Sequence, residues 1–433
     1  MITQTGKVWA RIWDQWNKKA GHSSVVVMPH ARINGGAGGR SATSVRRMTL
    51  PLGDPWLFGA ALTLLLLGLV MVGSASTSIA ERHGYPFYYL MRQTIFISIG
   101  VAAALMVART RLVYWEKAGT VLLLVGMLLL ALVLLPGIGG GEINGSQRWI
   151  SLGLFKLQAS EPVKLFMVIY MAGYLVRHGA EVRASLLGFV KPMLVLALVA
   201  VLLLREPDFG ATVVVSASVL GMLFLGGARL WPFVALLSVV VAAGAALIWS
   251  SPYRLERMTG FMNPWADPFD TGFQLTQALI AFGRGEWLGV GLGASVQKLF
   301  YLPEAHTDFL FAVLAEELGL LGSLIVMALF GLVVVRAYII GRVAEKGGNL
   351  FAAYMAYGLG LWIGLQALIN IGVNMGVLPT KGLTLPLMSY GGSSIVVMCI
   401  AIALLLRIAH ETHFSSADVR LSSAGFHVTP AKL

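Results

Sequence analysis

The chain has 433 residues, 57% of them hydrophobic and 12% charged, with a net charge of +12 and a mean hydropathy of +0.78. A charged fraction about half that of ordinary soluble proteins excludes a water-soluble globular fold. The single cysteine, Cys399, excludes internal disulfides and multi-cysteine metal sites, and the positive excess has to be located along the chain before it is read as affinity for nucleic acid.

Residues 1–53 are rich in Gly, Ser, Arg and Lys and hold no apolar run long enough for the core of a cleaved signal peptide. They read as a disordered, basic cytoplasmic tail that attracts anionic lipid or only sets orientation. Apolar blocks of membrane-spanning length follow near 56–76, 93–108, 118–136, 161–176, 189–204, 209–227, 230–249, 309–335, 350–376 and 385–406. They predict an all-α polytopic membrane protein with about ten transmembrane helices, a transmembrane domain over 54–410 and a C-terminal cytoplasmic tail over 411–433. With the N-terminus inside, about two thirds of the basic residues fall on the cytoplasmic side, which puts both termini in the cytoplasm. The net charge therefore reports topology, and no nucleic-acid partner is expected.

Polar residues in and between these blocks are the candidates for chemistry. Arg148, in the run Asn144-Gly145-Ser146-Gln147-Arg148-Trp149, precedes the fourth span. Within that span Glu161 and Lys164 share a face at i and i+3, either as a neutralised pair or as the wall of a polar cavity. The connection 250–308 between the seventh and eighth spans is a large external loop rich in aromatics, with helical periodicity over 274–282, and suggests one or two amphipathic helices on the outer leaflet. It ends in Pro303-Glu304-Ala305-His306-Thr307-Asp308, three titratable groups at the external membrane edge. Thr307 or Asp308 can cap the eighth span, or Asp308 can serve as a general base with a raised pKa; Glu304 and His306 flank it as substrate contacts. Glu316 and Glu317 lie about two turns further on and read as structural or gating residues. Lys381, in Pro379-Thr380-Lys381-Gly382, is a second cation for anionic oxygen, and Ser389 opens a small-residue run before the tenth span. No Walker loop occurs, and no soluble segment is large enough for a nucleotide, so a lipid-linked substrate is expected.

Several motifs resemble the SEDS family (shape, elongation, division and sporulation). They are Arg148-Trp149 with Gln158, Glu161 and Lys164; Glu206-Pro207-Asp208-Phe209-Gly210; Asn263-Pro264-Trp265 through Gln277; Phe282-Gly283-Arg284-Gly285; Pro303 through Phe309; and Leu385-Pro386 through Ser394. The resemblance covers about residues 54 to 412, and Ala305 with Pro379 through Thr384 fits the division branch better than the elongation branch. It implies a peptidoglycan glycosyltransferase that polymerises lipid II at the outer face of the bacterial inner membrane, enriched at the septum. By the same resemblance Asp308 is the catalytic residue, and Glu161 and Lys164 line the lipid groove. Arg148, Arg205 and Lys381, with a divalent cation (Mg or Mn) as a further candidate, would stabilise the diphosphate leaving group. Implied partners are lipid II, a class B penicillin-binding protein, other divisome membrane proteins and membrane lipid. The competing readings are a lipid II flippase, an elongation polymerase and a non-catalytic scaffold.

Overall fold

A computed structural model describes residues 53–423 apart from 82–83, 136–147, 152–155, 230, 236, 239–241, 243–248, 250–262, 269–271, 300–301 and 380–381. These residues belong to one compact unit, Thr49–Leu433; the other unit, Met1–Met48, lies outside them. The elements are α1 (Pro55–Glu81), α2 (Tyr88–Arg109), α3 (Leu112–Val133), a hairpin of β1 (Trp149–Ser151) and β2 (Lys156–Gln158), α4 (Ser160–Ala184), α5 (Leu186–Arg205), α6 (Phe209–Leu225), α7 (Phe273–Gly285), α8 (Leu310–Lys346), α9 (Leu350–Asn374) and α10 (Gly392–Ser423). Among the described residues, seven stretches are long and apolar enough to cross a membrane: α1, α2, α3, α5, α8, α9 and Gly392–Thr412 of α10. The chain is an all-α, multi-pass membrane protein. Nine of the predicted blocks fall on described helices, whereas 230–249 lies largely outside the described residues and is helical at 231–235.

Helix starts follow local chemistry. Asp54 accepts from Leu57 N, Ser185 from Gly188 N, Asp208 from Ala211 N and Asn349 from Ala352 N, so side-chain oxygens satisfy amides that the first turn leaves without partners. The core is built on α4, α9 and α10, and small residues let helices approach closely: Gly341 of α8 lies under Tyr357 of α9, and Gly358 of α9 faces Val168 and Met222. On the outer helices α2 and α3, by contrast, Met91, Ile95, Leu105, Val121, Leu124 and Leu128 are exposed, as lipid-facing positions should be.

The segment after α7 enters the helical body. Helix α8 breaks at Gly319, which has φ +66°. There Leu320 N and Leu321 N, which a continuous helix would bond to Glu316 O and Glu317 O, donate to Glu286 O and Trp287 O. The vacated Glu316 O and Glu317 O accept from Val290 N and Gly291 N. The inserted segment replaces two helical bonds with four of its own, leaving these groups satisfied. A side chain at Gly289 would sit 2.1 Å from Glu317 O, so only glycine permits the insertion.

The carboxylates of the same two residues anchor the stretch 295–298 beyond the insertion. Glu316 accepts from Ser295 Oγ, Val296 N and Gln297 N and lies 3.3 Å from Arg284. Glu317 accepts from Lys298 Nζ at 2.8 Å and from Ser74 of α1. These groups are structural, and they tie α1, α8 and the external segment together. Helix α7 is the amphipathic helix that periodicity suggested, but its buried residues Leu275, Ala278 and Ala281 and the contact of Gly285 with Ala315 set it against α8. Because Lys298 and Glu317 are both buried, Lys298→Met should destabilise the detergent-solubilised protein by about 3–5 kcal/mol, and adding Glu317→Leu should restore most of that loss in thermal unfolding.

Candidate active site

The approach to α8 is a non-helical strap whose backbone is held from outside. Tyr390 N donates to His306 O at 3.0 Å, Ser389 Oγ to Thr307 O at 2.6 Å, and the amides of Asn370 and Asn374 on α9 both donate to Asp308 O at 2.9 Å. Glu304 takes a positive φ of 56° to start this turn, and its carbonyl accepts from Thr307 N and Phe309 N. The capping alternative fails. The residue before α8 is Phe309, which makes no side-chain cap bond; Thr307 Oγ1 donates to Glu304, and Ala312 N is satisfied by Asn374 Oδ1 from the neighbouring helix. Asp308 is thus free of a capping duty.

A second group of elements brings a cation to it. The β-hairpin, antiparallel with Trp149 opposite Gln158, projects Arg148 towards the turn between α5 and α6, where its guanidinium donates to Glu206 O and Pro207 O. Gln158 N donates to Ser393 Oγ, which pins the hairpin to α10. Asp208 accepts from Ser160 Oγ at 2.8 Å and from Gln158 Nε2, so its carboxylate is occupied in joining the turn, the hairpin and α4. A Cβ at Gly382 would lie 3.2 Å from Asp308 Oδ2 and 3.7 Å from Arg148 Nη1, so carboxylate and guanidinium flank the same point of backbone.

Electrostatics at this point favour a base. Burial, reinforced by Glu304 and Asp208 and only partly opposed by Arg148, pushes the Asp308 carboxyl up to about 7. Glu206 is fully buried with neither carboxyl oxygen hydrogen-bonded, and burial, with Asp208 beside it, raises it to about 8. One acid beside Arg148 is therefore neutral at pH 7 while Asp308 is poised to exchange a proton. Among the described residues the Arg148 guanidinium bonds to carbonyls, which leave its charge available for an anion.

The other expected site residues divide by position. Glu304 is exposed beside Asp308. His306 is buried between the rings of Tyr89 and Tyr390, at 4.6 and 5.4 Å, with its Nδ1 unbonded, and burial lowers its pKa. The Ser389 hydroxyl is occupied by Thr307 O and Leu385 N. Glu161 and Lys164 pair at 2.9 Å, and Lys164 also donates to Gln366 Oε1, about a turn deeper along α9 than Asn370. Arg205 is exposed at the end of α5, and Lys381 lies outside the described residues. Among the described residues no group of three His, Cys, Asp or Glu is placed to hold a metal, and Asp208 and Glu206 are respectively occupied and neutral.

Sequence reasoning missed Asn370, Asn374 and Asp208 as site builders. The signal for the first two was the polar series Gln366, Asn370, Asn374, spaced by four on an apolar helix.

The chain as a whole is similar to known proteins. Residues 55–414 match the model of the FtsW/RodA/SpoVE family of cell cycle proteins. The chain belongs to this family. Among its curated members, the probable peptidoglycan glycosyltransferase FtsW of Nitrosococcus halophilus is 63% identical over 365 residues, covering 84% of this chain and 94% of the relative. That of Legionella pneumophila is 54% identical, covering 86% and 94%. Of solved structures, a chain from a peptidoglycan synthase complex that coordinates polymerization and crosslinking matches with a TM-score of 0.69 at 30% identity, covering 83% of this chain and 98% of that one. The rod shape determining protein RodA of Thermus thermophilus matches at 0.62 and 27%, covering 83% and 97%.

The raised Asp308 pKa has a consequence for stability in this family member. An unfolded carboxyl ionises near 3.8 but the folded one only near 7, so the folded state loses stability as pH rises between those values. Asp308→Asn should therefore raise the thermal midpoint relative to wild type at about pH 8, and the gain should vanish at about pH 4.

Proposed function

We propose that this chain is a peptidoglycan glycosyltransferase that polymerises lipid II at the outer face of the plasma membrane during septal wall synthesis. The observation that carries the reading is Asp308, a carboxyl near neutrality facing the same Gly382 backbone as Arg148. Relatives named FtsW at 54–63% identity, against 27% for RodA, favour division over elongation.

Asp308 takes the proton from the C4 hydroxyl of the acceptor GlcNAc as that oxygen forms a bond to C1 of the donor MurNAc. The C1–oxygen bond to the diphosphate breaks, undecaprenyl diphosphate departs with the electron pair, and C1 is inverted. The Arg148 guanidinium is the described cation beside Asp308 that can meet the departing negative charge. The deeper charges support chemistry at the rim over transport, since Glu161 and Lys164 neutralise one another. By analogy with the synthase complex, the partner is a class B penicillin-binding protein that crosslinks the product.

The test is glycan synthesis from purified lipid II by the full chain together with its cognate class B penicillin-binding protein. Polymer should form, and Asp308→Ala should cut the rate by about 10²–10⁴-fold. The wild-type rate should rise with pH to a plateau above about 7, because the base works only when deprotonated. Undiminished polymer from Asp308→Ala would refute the mechanism; lipid II translocation without polymer would favour a flippase.

A further inference from the structure

Helix α9 carries two buried amides whose partners are site backbone. Asn370 Nδ2 donates to Asp308 O and to Leu383 O, so one amino group holds the strap and the loop that carries Gly382. Asn374 Nδ2 donates to the same Asp308 O at 2.9 Å and to Asn370 O at 2.8 Å, while its Oδ1 receives Ala312 N at 3.0 Å. One turn deeper, Gln366 Nε2 donates to Thr384 O at 3.0 Å. Consecutive carbonyls of the loop, Leu383 and Thr384, and that of Asp308 are therefore read by three side chains on one face of one helix. Burying primary amides in an apolar span is costly unless they are fully bonded, and these are bonded to the elements that flank the Asp308 carboxyl.

We propose that Asn370 and Asn374 are positioning residues: both amides hold the Asp308 main chain, Asn370 ties it to the loop at Leu383, and together they fix where the Asp308 carboxylate stands relative to Arg148. Only the kinetic arm of the test rests on the glycosyltransferase reading. A purely space-filling role would alter stability alone; a positioning role also alters the environment of the carboxylate. Burial is what holds that carboxyl high, so a strap loosened into water should lower it.

The experiment tracks Asp308 directly, by pH-dependent carbodiimide labelling read by mass spectrometry on the full chain, alongside glycan synthesis with the partner. Asn370→Leu should move the labelling midpoint down by about half a unit or more and lower kcat about tenfold with KM nearly unchanged. Asn374→Leu should act in the same direction but less, because Asp308 O keeps Asn370. It also serves as the second variant if Asn370→Leu does not fold. Phe330→Ala, a buried change in α8 remote from the strap, should lower the melting temperature and leave the midpoint alone. The proposal is overturned if both asparagine variants melt earlier yet keep the wild-type midpoint. A shifted midpoint in a protein that makes no glycan even as wild type would refute the glycosyltransferase reading and leave the positioning role standing.

Discussion

The site depends on a backbone that is not allowed to be a helix. If residues 304–309 simply extended α8 upward, the carbonyls of His306, Thr307 and Asp308 would turn into the helix and the Asp308 side chain would follow the helical spiral. Instead each carbonyl has an external donor, from Tyr390, Ser389 and the two asparagines of α9. The strap borrows its rigidity from helices far away in sequence. That rigidity lets a partly desolvated carboxyl stand opposite a guanidinium without collapsing into an ion pair with it.

A second constraint is the cost of charge in an apolar body. The deep charges are organised around defined partners: Glu161 with Lys164, Glu317 with Lys298, Glu316 with three donors and Arg284, and Asp54 with Arg336. Glu206 takes a different route: burial, with Asp208 beside it, raises its pKa to about 8, and its carboxyl oxygens accept no hydrogen bond. Near Asp308 the balance among the described residues is left incomplete, since the partners of Arg148 there are carbonyls. The unneutralised charge falls at the carboxyl proposed as the base.

The sequence shows some of this and hides the rest for physical reasons. Spans such as α1, α5 and α8 are legible because roughly twenty apolar residues in a row have few alternatives. Asp308 is legible as well, since a carboxylate at the edge of a span invites explanation. The hairpin that carries Arg148 is not, because strands of three residues are shorter than any periodicity that could announce them. Glu316 and Glu317 could be flagged as buried carboxylates, but Ser74, a partner 243 residues away from Glu317, is invisible to local reading. Asn370 and Asn374 escaped notice because uncharged amides hardly lower the hydropathy of a span. Only their spacing betrays them.

The break in α8 bears on how the chain is made. Two amides, at Leu320 and Leu321, and two carbonyls, at Glu316 and Glu317, have no helical partner at Gly319 and are satisfied only by residues 286–291. That segment leaves the ribosome before α8 does, so its bonding groups are already synthesised when the break emerges. Reversing the order by circular permutation between them would oblige α8 to enter the bilayer with four polar backbone groups bare. The linear order of the two elements is thus part of the biogenesis of the fold, independent of any contact they make once it is complete.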